Sequence, residues 1–332
     1  MRPRLLLGLL MAWTLAPAAA LAAGQAPAPK LAFPLACVIG RSCEVQNYMD
    51  RDPGPGVLDY RCKGRSYNGH GGVDIRLLDM AAQRAGVDVL AAAAGRVARL
   101  RDGMADISIR AANAPSVKDS ECGNGVVIDH GGGWETQYCH VARGSVRVKV
   151  GDQVAAGQPI ARVGLSGQTE FPHLHLTVRH GAQTIDPFAP DMTRPLACGA
   201  QPTLWDRTVQ GLLAYKAGAV LNAGFAGAPV TMEAVEAGGV ASPSAGSPYV
   251  VAYVRLIGLQ SGDLVDLAMT GPDGVTLART TSAPLDHDKA LYIAYVGKKR
   301  PAAGWARGSY RATVTVRRAG APVLTRPFQA TL

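Results

Sequence analysis

A histidine and an aspartate four positions apart, His70 and Asp74, stand in the segment Gly69-His70-Gly71-Gly72-Val73-Asp74, where glycines let the backbone approach a bound ion closely. Far downstream, Pro172-His173-Leu174-His175-Leu176 carries a His-x-His pair. On a strand such a pair turns both rings to one face, because side chains alternate. Between the two lies Tyr138-Cys139-His140-Val141. Zinc suits imidazole and carboxylate, and a catalytic zinc takes three protein ligands and keeps one position for water. His70, Asp74 and one histidine of the 173/175 pair complete such a set and leave two histidines beside the open position. Each piece alone is more often structural than catalytic. Together, in this order and in a glycine-rich β-type segment, they point to a metal centre. His130 before Gly131, His180 before Gly181 and His287 between Asp286 and Asp288 read as turn or loop residues, and Asp129 and Asp186 as turn or cap carboxylates.

The elements that must position these groups are short. Val87–Leu90, Gly95–Leu100, Val126–Ile128, Val146–Val150 and Leu174–Val178 are apolar runs of strand length and composition, broken by Gly and Pro. Gly125–His130 and Glu135–Val141 form a hairpin across Gly131-Gly132-Gly133, and roughly Leu78–Ala85 is helix-like. That hairpin brings Cys122 and Cys139 nearly opposite, so they are expected to pair; Cys37 with Cys43 and Cys62 with Cys198 then remain by elimination. An even count of six cysteines without a Cys-x-x-Cys pair favours disulfides over a thiolate metal site.

At 332 residues the chain is long enough for about two domains. Arg2 and Arg4, an apolar stretch from Leu5 and Ala20-Leu21-Ala22 read as a signal peptide over 1–22, with no transmembrane segment left after its cleavage. Residues 23–36, rich in Ala and Pro, read as a linker, and residues 37–198 as the domain carrying the site. After Pro195, Cys198, Gly199 and Pro202 the pattern stays β. Tyr310, Ala312, Val314 and Val316 alternate with polar residues, and Gly271-Pro272-Asp273-Gly274 signals a hairpin. Residues 203–332 are thus expected to form an immunoglobulin-like β-sandwich of unknown role, with no site chemistry of its own and no identifiable protein partner. The net charge of +9 is compatible with an anionic polymer as partner, but no Lys/Arg run or nucleic-acid motif accompanies it, so no nucleic acid is expected.

Five pieces in fixed order carry a resemblance: Gly69–Asp74, Val126-Val-Ile-Asp-His-Gly131, Tyr138–Val141, Val150-Gly-Asp-Gln-Val-Ala-Ala-Gly-Gln158 and Pro172–Leu176. They resemble the catalytic domain of the M23 family, the lysostaphin-like or LytM-type zinc metallopeptidases. The resemblance implies an all-β fold, with a small antiparallel metallopeptidase domain bearing a groove. It implies Zn²⁺ held by His70, Asp74 and His175, with His140 and His173 as the catalytic histidines. It also implies an endopeptidase that cuts peptide cross-links of peptidoglycan, acting on its stem peptides in the periplasm or after secretion. Family members that regulate cell-wall amidases without catalysis, and a secreted protease acting on proteins, are the alternatives. The chain departs from the common pattern in its cysteines, notably Cys139, and in a longer insert over 101–121; these bear on the shape of the groove and not on the ligands. Val150–Gly164 also resembles the hammerhead turn of biotinyl carriers but has no lysine at the turn, and reads as scaffold.

Overall fold

The computed structural model describes residues 27–193, 197–199 and 201–332. The expected signal peptide lies outside the described residues. Strands hold 40% of the described residues and helices 5%, and the sheets are antiparallel, as the all-β reading requires.

The first unit contains β1 (Cys43–Asn47), β2 (Val73–Leu77), α1 (Met80–Ala85), β3 (Asp88–Leu90), β4 (Gly95–Arg101), β5 (Gly125–Gly131), β6 (Trp134–Cys139), β7 (Gln153–Val154), β8 (Pro159–Arg162), β9 (His173–His180) and β10 (Gln183–Ile185). One sheet runs in the order β1-β2-β9-β6-β5-β4-β7, with β10 added against β9, while β3 and β8 pair separately. Alternation divides its strands between two faces. Val73, Ile75, Leu77, Leu174, Leu176, Val178, Val126, Ile128 and Tyr138 enter one apolar core. Asp74, Arg76, His173 and His175 occupy the intervening positions of β2 and β9. Three disulfides tie this unit together: Cys37–Cys43, Cys62–Cys198 and Cys122–Cys139. They are the expected pairs.

Two sequence expectations change. Val146–Val150 is not a strand: it runs into a turn closed by Asp152 N–H to the Lys149 carbonyl, and Val148 is buried while Val150 is exposed. Arg147 N–H still donates to the Ile160 carbonyl of β8 at 2.9 Å, but the run forms no strand. The described part of the expected linker is also packed. Leu31 and Leu35 are buried in the first core, and Leu31 bridges to Trp205. Leu204, Trp205, Val209 and Leu213 join that core as well, with Val209 on the short helix α2 (Arg207–Gln210), so it extends past the expected boundary at 203.

The second unit is a sandwich. It contains β11 (Ala219–Ala226), α3 (Met232–Ala237), β12 (Tyr249–Leu259), β13 (Leu264–Thr270), β14 (Thr276–Thr281), β15 (Lys289–Lys299), β16 (Ser309–Arg318) and β17 (Ala321–Thr331). Its sheets are β11-β12-β15 and β14-β13-β16-β17. The alternating residues of β16 point into the shared core with Val254, Leu256 and Leu267. The fourth strand pairs with the third, whereas in a constant-type immunoglobulin domain it lies in the opposite sheet. No helix among the described residues is long and apolar enough to cross a membrane.

Candidate metal centre

The site is one row of residues across adjacent strands. Asn47 faces Asp74, Asp74 faces His175, and His175 faces Cys139 in the registers of β1-β2-β9-β6. His70 enters from the loop before β2, and His140 follows Cys139 at the end of β6. Asp74 Oδ1 lies 3.1 Å from His70 Nε2 and 2.9 Å from His175 Nδ1, and the two nitrogens are 3.1 Å apart. The three side chains offer ligand atoms that all lie within 4.8 Å of one another.

Each of these groups is held from behind, which fixes the atom it turns to the centre. A carbonyl only accepts, so His70 Nδ1–H donates to the Tyr48 carbonyl at 2.7 Å and Nε2 keeps its lone pair for the centre. His175 uses Nε2 on Thr177 Oγ1 at 3.0 Å and presents Nδ1. Asp74 Oδ2 accepts from the Asn47 amide at 2.9 Å and leaves Oδ1 free to ligate. Two imidazoles and a carboxylate, each oriented by an outer hydrogen bond, form a donor set suited to a first-row divalent ion. On this chemistry the residues fit a resident metal.

The other two histidines flank the centre. His140 Nδ1–H donates to the Ser166 carbonyl at 2.8 Å, and His173 Nδ1–H to the Phe171 carbonyl at 3.0 Å. Their rings are 4.7 Å apart, and His173 Nε2 is 3.4 Å from Asp74 Oδ1. His140 adopts a left-handed backbone (φ 63°), stabilised by its N–H on the Cys122 carbonyl at 2.9 Å. The Cys122–Cys139 disulfide therefore grips both sides of this turn. A cleft of about 290 Å³ opens beside them, lined by Tyr67, Gln137, His140, Gln168, His175 and Arg179.

Residues 68–187 match the model of Peptidase family M23. This segment belongs to that family. Among its relatives, DD-carboxypeptidase/endopeptidase Mpg of Neisseria meningitidis is 33% identical over 110 residues, covering 33% of this chain and 24% of Mpg. Murein hydrolase activator EnvC of Escherichia coli is 44% identical over 62 residues, covering 19% of this chain and 14% of EnvC. Peptidoglycan DD-endopeptidase ShyB of Vibrio cholerae is 35% identical over 75 residues, covering 23% of this chain and 17% of ShyB. The chain thus spans no more than about a quarter of the length of these relatives.

Within the M23 segment the electrostatics follow from burial and close packing. Burial, then the nearby imidazoles of His173 and His175, hold His140 well below its usual range, so its ring is neutral near neutral pH. Burial also lowers His175, against the pull of Asp74. Burial opposes the charged forms of His70 and Asp74, yet their mutual attraction wins: His70 is raised and Asp74 held well below the usual carboxylate range. All five sequence-predicted site residues meet here. The remaining histidines do not: His130 bridges the Ala94 carbonyl and Thr136, His180 stacks on Trp134, and His287 is exposed. Asp129 and Asp186 each accept from a backbone N–H two residues on, as turn residues do. Sequence reading missed Asn47, Thr177 and the orienting carbonyls of Tyr48, Ser166 and Phe171. Thr177 was reachable, since it follows His175 by two positions on one strand face.

Proposed function

We propose that the M23 segment is a zinc-dependent endopeptidase that hydrolyses peptide cross-links of peptidoglycan, with His70, Asp74 and His175 as ligands and His140 and His173 as catalytic residues. The observation that carries this reading is the convergence of all five side chains, each turned inward by a specific outer hydrogen bond. Held by the first three, a zinc ion would supply Lewis acidity toward a peptide carbonyl and would lower the pKa of a water toward about 7. His70 Nε2, Asp74 Oδ1 and His175 Nδ1 hold the ion's position. Neutral His140 accepts a proton from the attacking water at Nε2. His140, carrying that proton at Nε2, donates to the oxyanion and then returns the proton to the leaving amine, while His173, whose Nδ1–H is held by the Phe171 carbonyl, turns Nε2 to the same centre and donates to the oxyanion when that nitrogen is also protonated. The cleft beside them takes the stem peptide in an extended form. The name of ShyB supports the substrate class, and the DD designation that it shares with Mpg favours a link between two D-residues over a glycine bridge. Such a substrate places the protein in the cell envelope, secreted or periplasmic.

The similarity to the activator EnvC favours a second reading, a non-catalytic regulator of wall amidases. The filled ligand set supports the first. Purified protein incubated with sacculi, with and without chelator, tests the choice. The endopeptidase reading expects release of uncross-linked muropeptides that stops on chelation and returns with added zinc. Intact cross-links at full zinc loading would leave the regulator reading standing. Release from casein but not sacculi would assign a general protease.

A further inference from the structure

A buried ion cluster connects the sandwich to the metal centre. Arg76 lies two positions beyond Asp74 on β2 and pairs in register with His173. Its side chain is fully buried, with Nη1 donating to Gln46 Oε1 and Nη2 to Glu236 Oε2, both at 2.7 Å. Glu236 belongs to α3, in the second unit, and the same oxygen accepts from Arg255 Nη1 on β12. Arg255 is fully buried too, and reaches back to the Leu78 carbonyl as well as to Asn222. On its other side, the Arg76 guanidinium stacks over the Phe171 ring at 4.1 Å. Phe171 packs against the His173 ring at 4.7 Å, and its carbonyl accepts a hydrogen bond from His173 Nδ1–H. A continuous series of contacts thus runs from α3 to the imidazole flanking the metal.

Burying two guanidinium groups around one carboxylate is costly, and apolar residues would dock two units at least as well. What such a cluster supplies is a fixed geometry, and here the fixed group is the platform under His173. We propose that Glu236 and Arg76 are positioning residues for His173, which makes the C-terminal sandwich a working part of the peptidase centre. The proposal rests on the role given above to His173.

The test compares Glu236→Gln with Arg255→Met in the full chain. Arg255→Met removes the second guanidinium, on β12, but leaves Arg76, Glu236 and Phe171 in place. On a soluble cross-linked muropeptide, Glu236→Gln is expected to lower kcat by about 10–100-fold with KM nearly unchanged. It should keep one zinc per chain. In spectra of protein carrying ¹⁵N-histidine, it should move the His173 ring signals and leave those of His70 in place. Arg255→Met is expected to lower the melting temperature at least as much, with kcat and the His173 signals close to wild type. Should Glu236→Gln fail to fold, Phe171→Leu carries the same expectations without removing any charged group. Wild-type kcat with unmoved His173 signals in either variant overturns the proposal. So does a loss of kcat in Arg255→Met that matches its loss of stability. A zinc-loaded wild type that cuts nothing defeats the endopeptidase reading alone, and the ring signals then decide the positioning claim.

Discussion

Every imidazole at the centre spends one nitrogen on an outer partner and offers the other inward, and this division of labour sets what each substitution does. His140→Ala and His173→Ala remove groups that bind no metal in this account. Each is expected to keep zinc and lose about 10²–10⁴-fold in kcat, measured on defined muropeptides beside metal analysis. His70→Ala and Asp74→Ala remove proposed ligands and should lose the metal itself. Asn47→Ala leaves the ligand set whole but frees Asp74 Oδ2, and is expected to weaken zinc binding by about 10–100-fold in a competition titration. The five proposed site residues were legible because imidazole and carboxylate at these spacings, taken together, have few other uses in one glycine-rich domain. Asn47 and the Tyr48 and Ser166 carbonyls were not, because any residue supplies a carbonyl and an asparagine has many uses.

At the scale of elements, the site exists because β1, β2, β9 and β6 align Asn47, Asp74, His175 and Cys139 in one row. The His-x-His alternation and the β5–β6 hairpin were readable from period and glycine turns. The order of strands was not, since β2 reaches β9 across a long stretch of chain and no local signal specifies that pairing. Val146–Val150 failed for a related reason: Arg147 N–H reaches the Ile160 carbonyl of β8, but no ladder follows and the run ends in a turn. The Cys122–Cys139 disulfide closes a span of 17 residues around the turn that carries His140. Replacing both cysteines with alanine is expected to cost about 3 kcal/mol, read from urea unfolding, because the unfolded chain regains that loop's freedom. Unchanged stability would mean that the hairpin holds the turn unaided.

At the scale of the molecule, the two-unit, all-β plan was visible in the sequence, but its boundaries were not. Leu31 and Leu35 sit in an Ala/Pro-rich stretch that looks like a linker, and Trp205 lies beyond a Pro/Gly break, yet all three pack in one core. Composition does not reveal that a segment returns to cover a core built elsewhere. That core also holds a pH-sensitive group. Asp186 is buried and pushed up to about 6, because desolvation outweighs the Phe188 N–H and Arg51. A folded pKa above the usual 3.8 means that its stabilising contribution is full below that value and is lost as pH rises through about 6. Between about pH 4 and pH 7.5, the wild type should therefore lose about 2–3 kcal/mol more than Asp186→Asn in denaturant titrations. Parallel pH profiles would contradict this. The central claim, that this fold brings the distant His175 to His70 and Asp74 to hold one zinc, is tested most directly by metal stoichiometry. Chelator-stripped protein dialysed against zinc should return one tightly held ion per chain in the wild type and none in His175→Ala. A wild type that takes up no zinc, or a His175→Ala protein that holds it equally well, would contradict the account.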